Sequence, residues 1–189
     1  MALLDHIRNY VPLSEAEAHG ILGYFSPMEI HKNHELLVPG AICHTHYFVE
    51  EGCLQLHYPS EKGHQQILQF ALKGWWLTDY LAFRNAARSE YGIKAVVPSK
   101  VQLISKADQD RLLENFPAME TYFRQLFEIA YGAALHRMRF QHDMSKEARY
   151  LHFINSFPDF AQQVPQKAIA SFLGLTPEYV SEIRKKIRS

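Results

Sequence analysis

The hydrophobic pattern of this chain changes its period once, and that change limits the folds open to it. From about residue 36 to 105 the sequence reads as short extended runs cut by turn residues. Leu36-Leu37-Val38 stops at Pro39-Gly40, and Tyr47-Phe48-Val49 stops at Gly52. Cys53 to Tyr58 stops at Pro59, and Ile67 to Phe70 follows a turn at Glu61-Lys62-Gly63. Tyr91 to Val97 and Val101 to Ile104 close the set around Pro98-Ser99. Strands of this length at this spacing predict a sandwich or a rolled barrel.

From 108 onward the period is helical. Met119, Phe123, Leu126, Ala130, Ala133, Arg137 and Phe140 follow a 4-3-4-3-4-3 spacing, the seam of a coiled coil. A long helix after a small β unit has little of its own domain to lie on, so the seam over 115–141 predicts pairing between two chains. Residues 1–35 read as interrupted helix, with Ser14 and Glu17 forming a capping box. The fold class expected is α+β.

Composition excludes several classes. Lys plus Arg and Asp plus Glu both number 20 among 189 residues, so the chain is no uniformly basic nucleic-acid coat. The balance is uneven, however. Residues 145–189 carry seven basic side chains against four acidic ones, and four of the seven lie in the last six residues. No apolar run reaches the ~18 residues of a membrane span. The N-terminus lacks the pattern of a secretory leader. The two cysteines, Cys43 and Cys53, are too few for a disulfide framework or a four-thiolate metal centre. A cytoplasmic location is expected.

The most specific stretch runs from Val164 to Ile187. Pro165 suits a helix start, and Ala168, Ile169, Phe172 and Leu173 form an apolar stripe. Gly174 supplies a left-handed stop, and Leu175 fills the corner. Thr176 caps the next helix, Pro177 takes its first position, and Val180, Ile183 and Ile187 turn back toward the core. This is the grammar of a helix–turn–helix, in which the second helix is the reading helix.

With these residues in place, the chain resembles the cyclic-AMP receptor protein (Crp/Fnr) family of bacterial transcription regulators. The motif Ile169-Ala170-x-x-Leu173-Gly174-Leu175-Thr176, with Ser181 five positions later, carries the likeness. Glu147-x-Arg149-Tyr150 with Phe157-Pro158, and Tyr47 to Gly52, extend it. The resemblance implies an N-terminal cyclic-nucleotide-binding-like β-roll (a double-stranded β-helix) over 1–114, a dimerisation helix over 115–143 and a DNA-binding domain over 144–189. It implies DNA, a second copy of the chain, RNA polymerase and a small effector as partners. Thr176, Glu178, Tyr179 and Glu182 would face bases, and Arg184, Lys185, Lys186 and Arg188 would meet phosphates. At 182, where the family commonly carries Arg, this chain has Glu. A carboxylate there accepts from a cytosine amino group and does not pair with guanine. The last residue, Ser189, reads as the end of a short, wingless form.

In the family, a Gly-Glu pair and an Arg-Ser or Arg-Thr pair hold a cyclic nucleotide. The corresponding residues here are Thr78, Asp79, Arg88 and Ser89, with Glu90 beside them. A cyclic nucleotide is one candidate effector, and its identity stays open. Trp75 and Trp76 read as packing or as pocket walls. Two competing readings stand beside the regulator. His44-x-His46-x-x-x-Glu50 places two imidazoles and a carboxylate on one strand face, as in a cupin-like metal enzyme; the only His between 58 and 130 is His64. Alternatively, Glu182 fits a ligand-binding dimer that has lost DNA binding. No nucleophile–base pair stands out, so no enzyme is expected.

Overall fold

The structure is a computed structural model. It describes residues 2–60 and 65–188, with side chains through Lys186; the expected turn at 61–63, His64 and the Ile187 and Arg188 side chains lie outside the described set. The fold class is α+β: a β-roll with N-terminal helices, a long helix and a helix–turn–helix.

The elements run in the order α1 (Ala2–Arg8), α2 (Glu15–Leu22), β1 (Ser26–Ile30), β2 (Glu35–Leu37), β3 (Thr45–Glu51), β4 (Cys53–Pro59), β5 (Gln65–Leu72) and β6 (Trp76–Leu77). Then come α3 (Tyr80–Asn85), β7 (Gly92–Ala95), β8 (Ser99–Ser105), α4 (Lys106–Asn115) and α5 (Pro117–Asp143). The chain closes with α6 (Lys146–Ser156), α7 (Pro158–Gln163), α8 (Gln166–Leu173) and α9 (Pro177–Arg188).

The strands form two four-stranded antiparallel sheets, ordered β1-β8-β3-β6 and β2-β7-β4-β5. Alternation along each strand sends side chains to two different cores. In β3, Tyr47 and Val49 enter the roll, where they join Leu54, Leu56, Ala71 and Ile93. Phe48, between them, faces outward and is covered by Leu3, Ile7, Trp76, Met119 and Tyr122. In β5, Ala71 enters the roll while Ile67 and Phe70 face the C-terminal helices. The first sheet is therefore roofed by α1 and α5, and the second by the helix–turn–helix unit. Gly52, at φ +88° between β3 and β4, is required sterically: a Cβ there would lie 2.5 Å from the Pro98 carbonyl.

The capping box forms as read, with Glu17 N–H donating to Ser14 Oγ and Ser14 N–H to the Glu17 carboxylate. Three expectations need correction. Residues 26–30 form a strand, β1, and not helix; it is an edge strand whose side chains are exposed except Ile30, so neither period shows, and an edge tolerates Pro27. The sequence reads as helix from Lys146 to Phe157 ending at Pro158, with the next helix from Gln166; the stretch after Pro158 is instead a further short helix, α7, with Pro158 at its start. The third correction concerns the seam. Met119 and Phe123 are buried against the chain's own β-roll. At the other end Arg137 bonds to β5, and Phe140 lies 5.0 Å from the His152 ring of α6. Between these ends the seam residues Ala130 and Ala133 are exposed, together with Phe127, Ile129, Tyr131, Ala134, Leu135 and Met138. The long helix thus packs part of its apolar surface on its own chain and leaves part in solvent.

Candidate functional site

The helix–turn–helix is built from α8 and α9. α8 ends where Gly174 adopts φ +68°, with its N–H bonded to Ala170 and Ser171 carbonyls. Leu175 is buried in the corner. Thr176 Oγ1 accepts from the Tyr179 N–H at 3.2 Å, capping α9. Ile169 and Ala170 of α8 pack with Val180 and Ile183 of α9, all four essentially buried. That packing leaves the opposite face of α9 in solvent, where Thr176, Glu178, Ser181, Glu182, Lys185 and Lys186 are exposed. Pro177, Glu178, Ser181, Glu182 and Lys185 line one shallow hollow along the helix. Gln166, Ser181, Arg184 and Lys185 line a second.

Two of the residues assigned to DNA differ from the rest. Tyr179 is half-buried, its ring 6.0 Å from the Lys146 ammonium. Arg188 lies on α9 with its side chain outside the described set. The remaining residues share the exposed face or its flank, and the helix is about 18 Å long, long enough to lie in a major groove.

Of the expected ligand residues, Asp79 and Ser89 bond to each other, while Thr78 and Arg88 bond elsewhere. Asp79 caps α3, its Oδ1 accepting from Ala82 N–H at 3.2 Å. Ser89 Oγ–H donates to Asp79 Oδ2 at 2.7 Å. Thr78 Oγ1–H donates to the Thr45 carbonyl at 2.8 Å and lies 3.2 Å from Cys43 Sγ. All three side chains are buried. Arg88 is exposed, and its Nη1 donates to the Gly40 carbonyl at 2.7 Å. Trp76 is buried under α5, and Trp75 is half exposed. Sequence reasoning missed α3: six residues are too few to display a period.

The His44, His46 and Glu50 set does not converge. His46 is buried in an aromatic box of Trp76, Tyr80, Phe83 and Phe123, with Nδ1 at 3.0 Å from Gln109 Oε1. Burial pushes its imidazole down to about 4. Glu50 accepts from Gln102 Nε2 at 3.0 Å, and His44 is exposed outside β3. Among the described residues no group of three or more His, Cys, Asp and Glu is placed to hold a metal ion.

Residues 27–116 match the family model of the cyclic nucleotide-binding domain. That match spans the β-roll, which is similar to a cyclic nucleotide-binding domain. Solved structures extend the likeness across the chain. A Crp/Fnr-family protein from Eubacterium rectale superposes with a TM-score of 0.73 at 16% identity, covering 95% of this chain and 88% of that one. FixK2 from Bradyrhizobium japonicum gives 0.71 at 17%, covering 87% and 84%. The regulator CLP from Xanthomonas campestris gives 0.70 at 12%, covering 93% and 92%. The β-roll is thus followed by helices arranged as in these structures, the fold that the sequence resemblance implied. No curated protein sequence matches the chain. No described helix is long and apolar enough to cross a membrane.

Proposed function

We propose that the chain is a dimeric transcription regulator that binds DNA through α9. The observation that carries this reading is the face of α9: a capped helix, seated on α8, turns Glu178, Ser181, Glu182 and Lys185 outward and carries Arg184 and Lys186 along its flank. Glu178 and Glu182 accept from cytosine or adenine amino groups, Thr176 offers a hydroxyl, and the basic side chains bind phosphates. Phosphate contacts make affinity depend on salt.

The solvent stripe of α5 supplies the dimer. Phe127 and Tyr131 are 44% and 67% exposed, and Leu135 and Met138 are also exposed. An apolar stripe on a 27-residue helix, with Ala134 as a small seam residue, suits a second copy. Two copies of α9 would then meet half-sites about one helical turn apart.

The β-roll supplies control. CLP is described as responsive to cyclic di-GMP. In this chain a cyclic phosphate would have to draw Arg88 from Gly40 and separate Ser89 from Asp79. Regulation with this cassette self-paired is therefore part of the proposal.

A gel shift against genomic fragments tests the reading. Complexes that weaken with salt and with Arg184→Ala or Lys185→Ala support it. No complex above the nonspecific level in low salt, with both variants behaving as wild type, would refute it.

A further inference from the structure

β5 is an edge strand, so its outward backbone groups have no ladder partner. α8 takes them. The Ser171 hydroxyl accepts from Ile67 N–H and donates to the Gln65 carbonyl, both at 3.0 Å. The Gln66 side-chain amide donates to the Ser171 carbonyl. Just beyond, the β4–β5 ladder slips: His57 faces Ile67, while Leu56 faces Gln69. Leu68 is the extra residue of that bulge, and its carbonyl accepts from Arg137 of α5. The same guanidinium lies 5.2 Å from the centroid of Phe172 of α8. Phe70 of β5 completes the contact, its ring 5.0 Å from both Phe160 and Phe172.

A sheet edge, the long helix and the first helix of the helix–turn–helix therefore meet at one place. A hydroxyl that bridges an N–H and a C=O two residues apart takes the place of a neighbouring strand, and it fixes where α8 sits along β5. α8 and α9 share one core. The reading face of α9 stays exposed in this arrangement.

We infer that the dock of Ser171 on the β5 edge, braced by Arg137, holds α9 in its DNA-competent orientation and couples the β-roll to DNA affinity. This rests on α9 being the DNA-contacting helix. Half-sites have fixed spacing, so a released α8 leaves the two reading helices without a matching separation. Any movement of β5 within the roll moves the partners of Ser171 directly.

The test uses the full chain as wild type, Ser171→Ala and Ser171→Thr. Amide exchange is measured without DNA, and binding to a genomic duplex is measured at fixed salt. Ser171→Ala is expected to speed exchange of the Ile67 amide about fivefold to tenfold, with β3 amides unchanged. It should weaken DNA binding about tenfold, and Ser171→Thr, which keeps the hydroxyl, should restore both. Unchanged Ile67 exchange in Ser171→Ala overturns the dock. Faster exchange with unchanged or tighter DNA binding overturns the coupling. A wild-type chain that binds no DNA overturns the reading of α9 and the coupling with it; the exchange arm, run without DNA, separates that failure from absence of the dock.

Discussion

The indole Nε1–H of Trp76 donates to the Tyr122 hydroxyl at 2.8 Å. Indole nitrogen only donates, so the phenol accepts there, and it shares a second hydrogen bond with His6 Nδ1, also at 2.8 Å. One hydroxyl thus joins β6, α5 and α1 beneath the first sheet. Burial raises the Tyr122 phenol above its ordinary range, which keeps it protonated.

Tyr122→Phe preserves the ring and removes the shared oxygen. The indole N–H is left buried without a partner, a loss of about 1–3 kcal/mol. Urea unfolding of the two proteins measures it. Equal midpoints and slopes would show that the bond contributes nothing to the seating of α5.

Stability should fall on mild acidification. Burial lowers His46 to about 4, and burial together with Lys94 lowers His57 to about 4. The groups facing His46 are Gln109 and four aromatic rings, with no carboxylate among them. Glu35, 4.0 Å from His57, does not offset the shift. Between pH 6.5 and about 4 the unfolded chain therefore binds protons that the folded chain refuses. Stability is full above 6.5 and is lost as pH falls toward 4, at about 1.4 kcal/mol per unit for each histidine. His46→Phe should remove about half of that slope. A flat profile from pH 7 to 5 would contradict the assignment.

The Asp79–Ser89 pair predicts how the cassette responds to nucleotides. A ligand at 100 times its Kd adds about 2.7 kcal/mol to the folded state. Thermal unfolding with cyclic AMP is expected to show no such gain, because Asp79 and Ser89 already satisfy one another. Ser89→Ala should cost about 1–3 kcal/mol by stranding a buried carboxylate oxygen. A nucleotide-dependent stabilisation abolished by Arg88→Ala would show instead that the cassette opens for ligand.

The exposed stripe of α5 predicts the oligomeric state. Tyr131→Glu with Leu135→Glu places like charges on the proposed seam while touching none of the buried residues of the β-roll. Sedimentation should report a dimer for wild type and a monomer for the double variant. A dimer in both would place the interface elsewhere.

The local features were legible in the sequence, and the non-local ones were not. The capping box of Ser14 and Glu17, the Gly52 turn and the Gly174 stop are each fixed by residues a few positions apart, so the chain displays them directly. The strands flanking Gly52 were visible because both faces of β3 are covered and its apolar run is continuous. β1 was hidden because an exposed edge strand shows no pattern. The seam joined Met119 and Phe123, which the β-roll covers, to the exposed Ala130 and Ala133, because periodicity does not say how far along α5 the chain's own packing extends. Asp79 and Ser89 stand ten positions apart, and their pairing depends on side-chain geometry that spacing does not display. Ser171 carries no local signal at all: its partners are more than 100 positions away.

The central claim is that α9 contacts DNA, and the salt dependence of binding tests it most directly. Affinity for a duplex from a genomic fragment is measured by anisotropy over a salt series, for wild type, Arg184→Ala and Lys185→Ala. The account predicts a linear fall of log affinity with log salt, and a slope smaller by about one for each phosphate-contacting side chain removed. Binding that is absent in low salt, or a slope that neither variant changes, would contradict it.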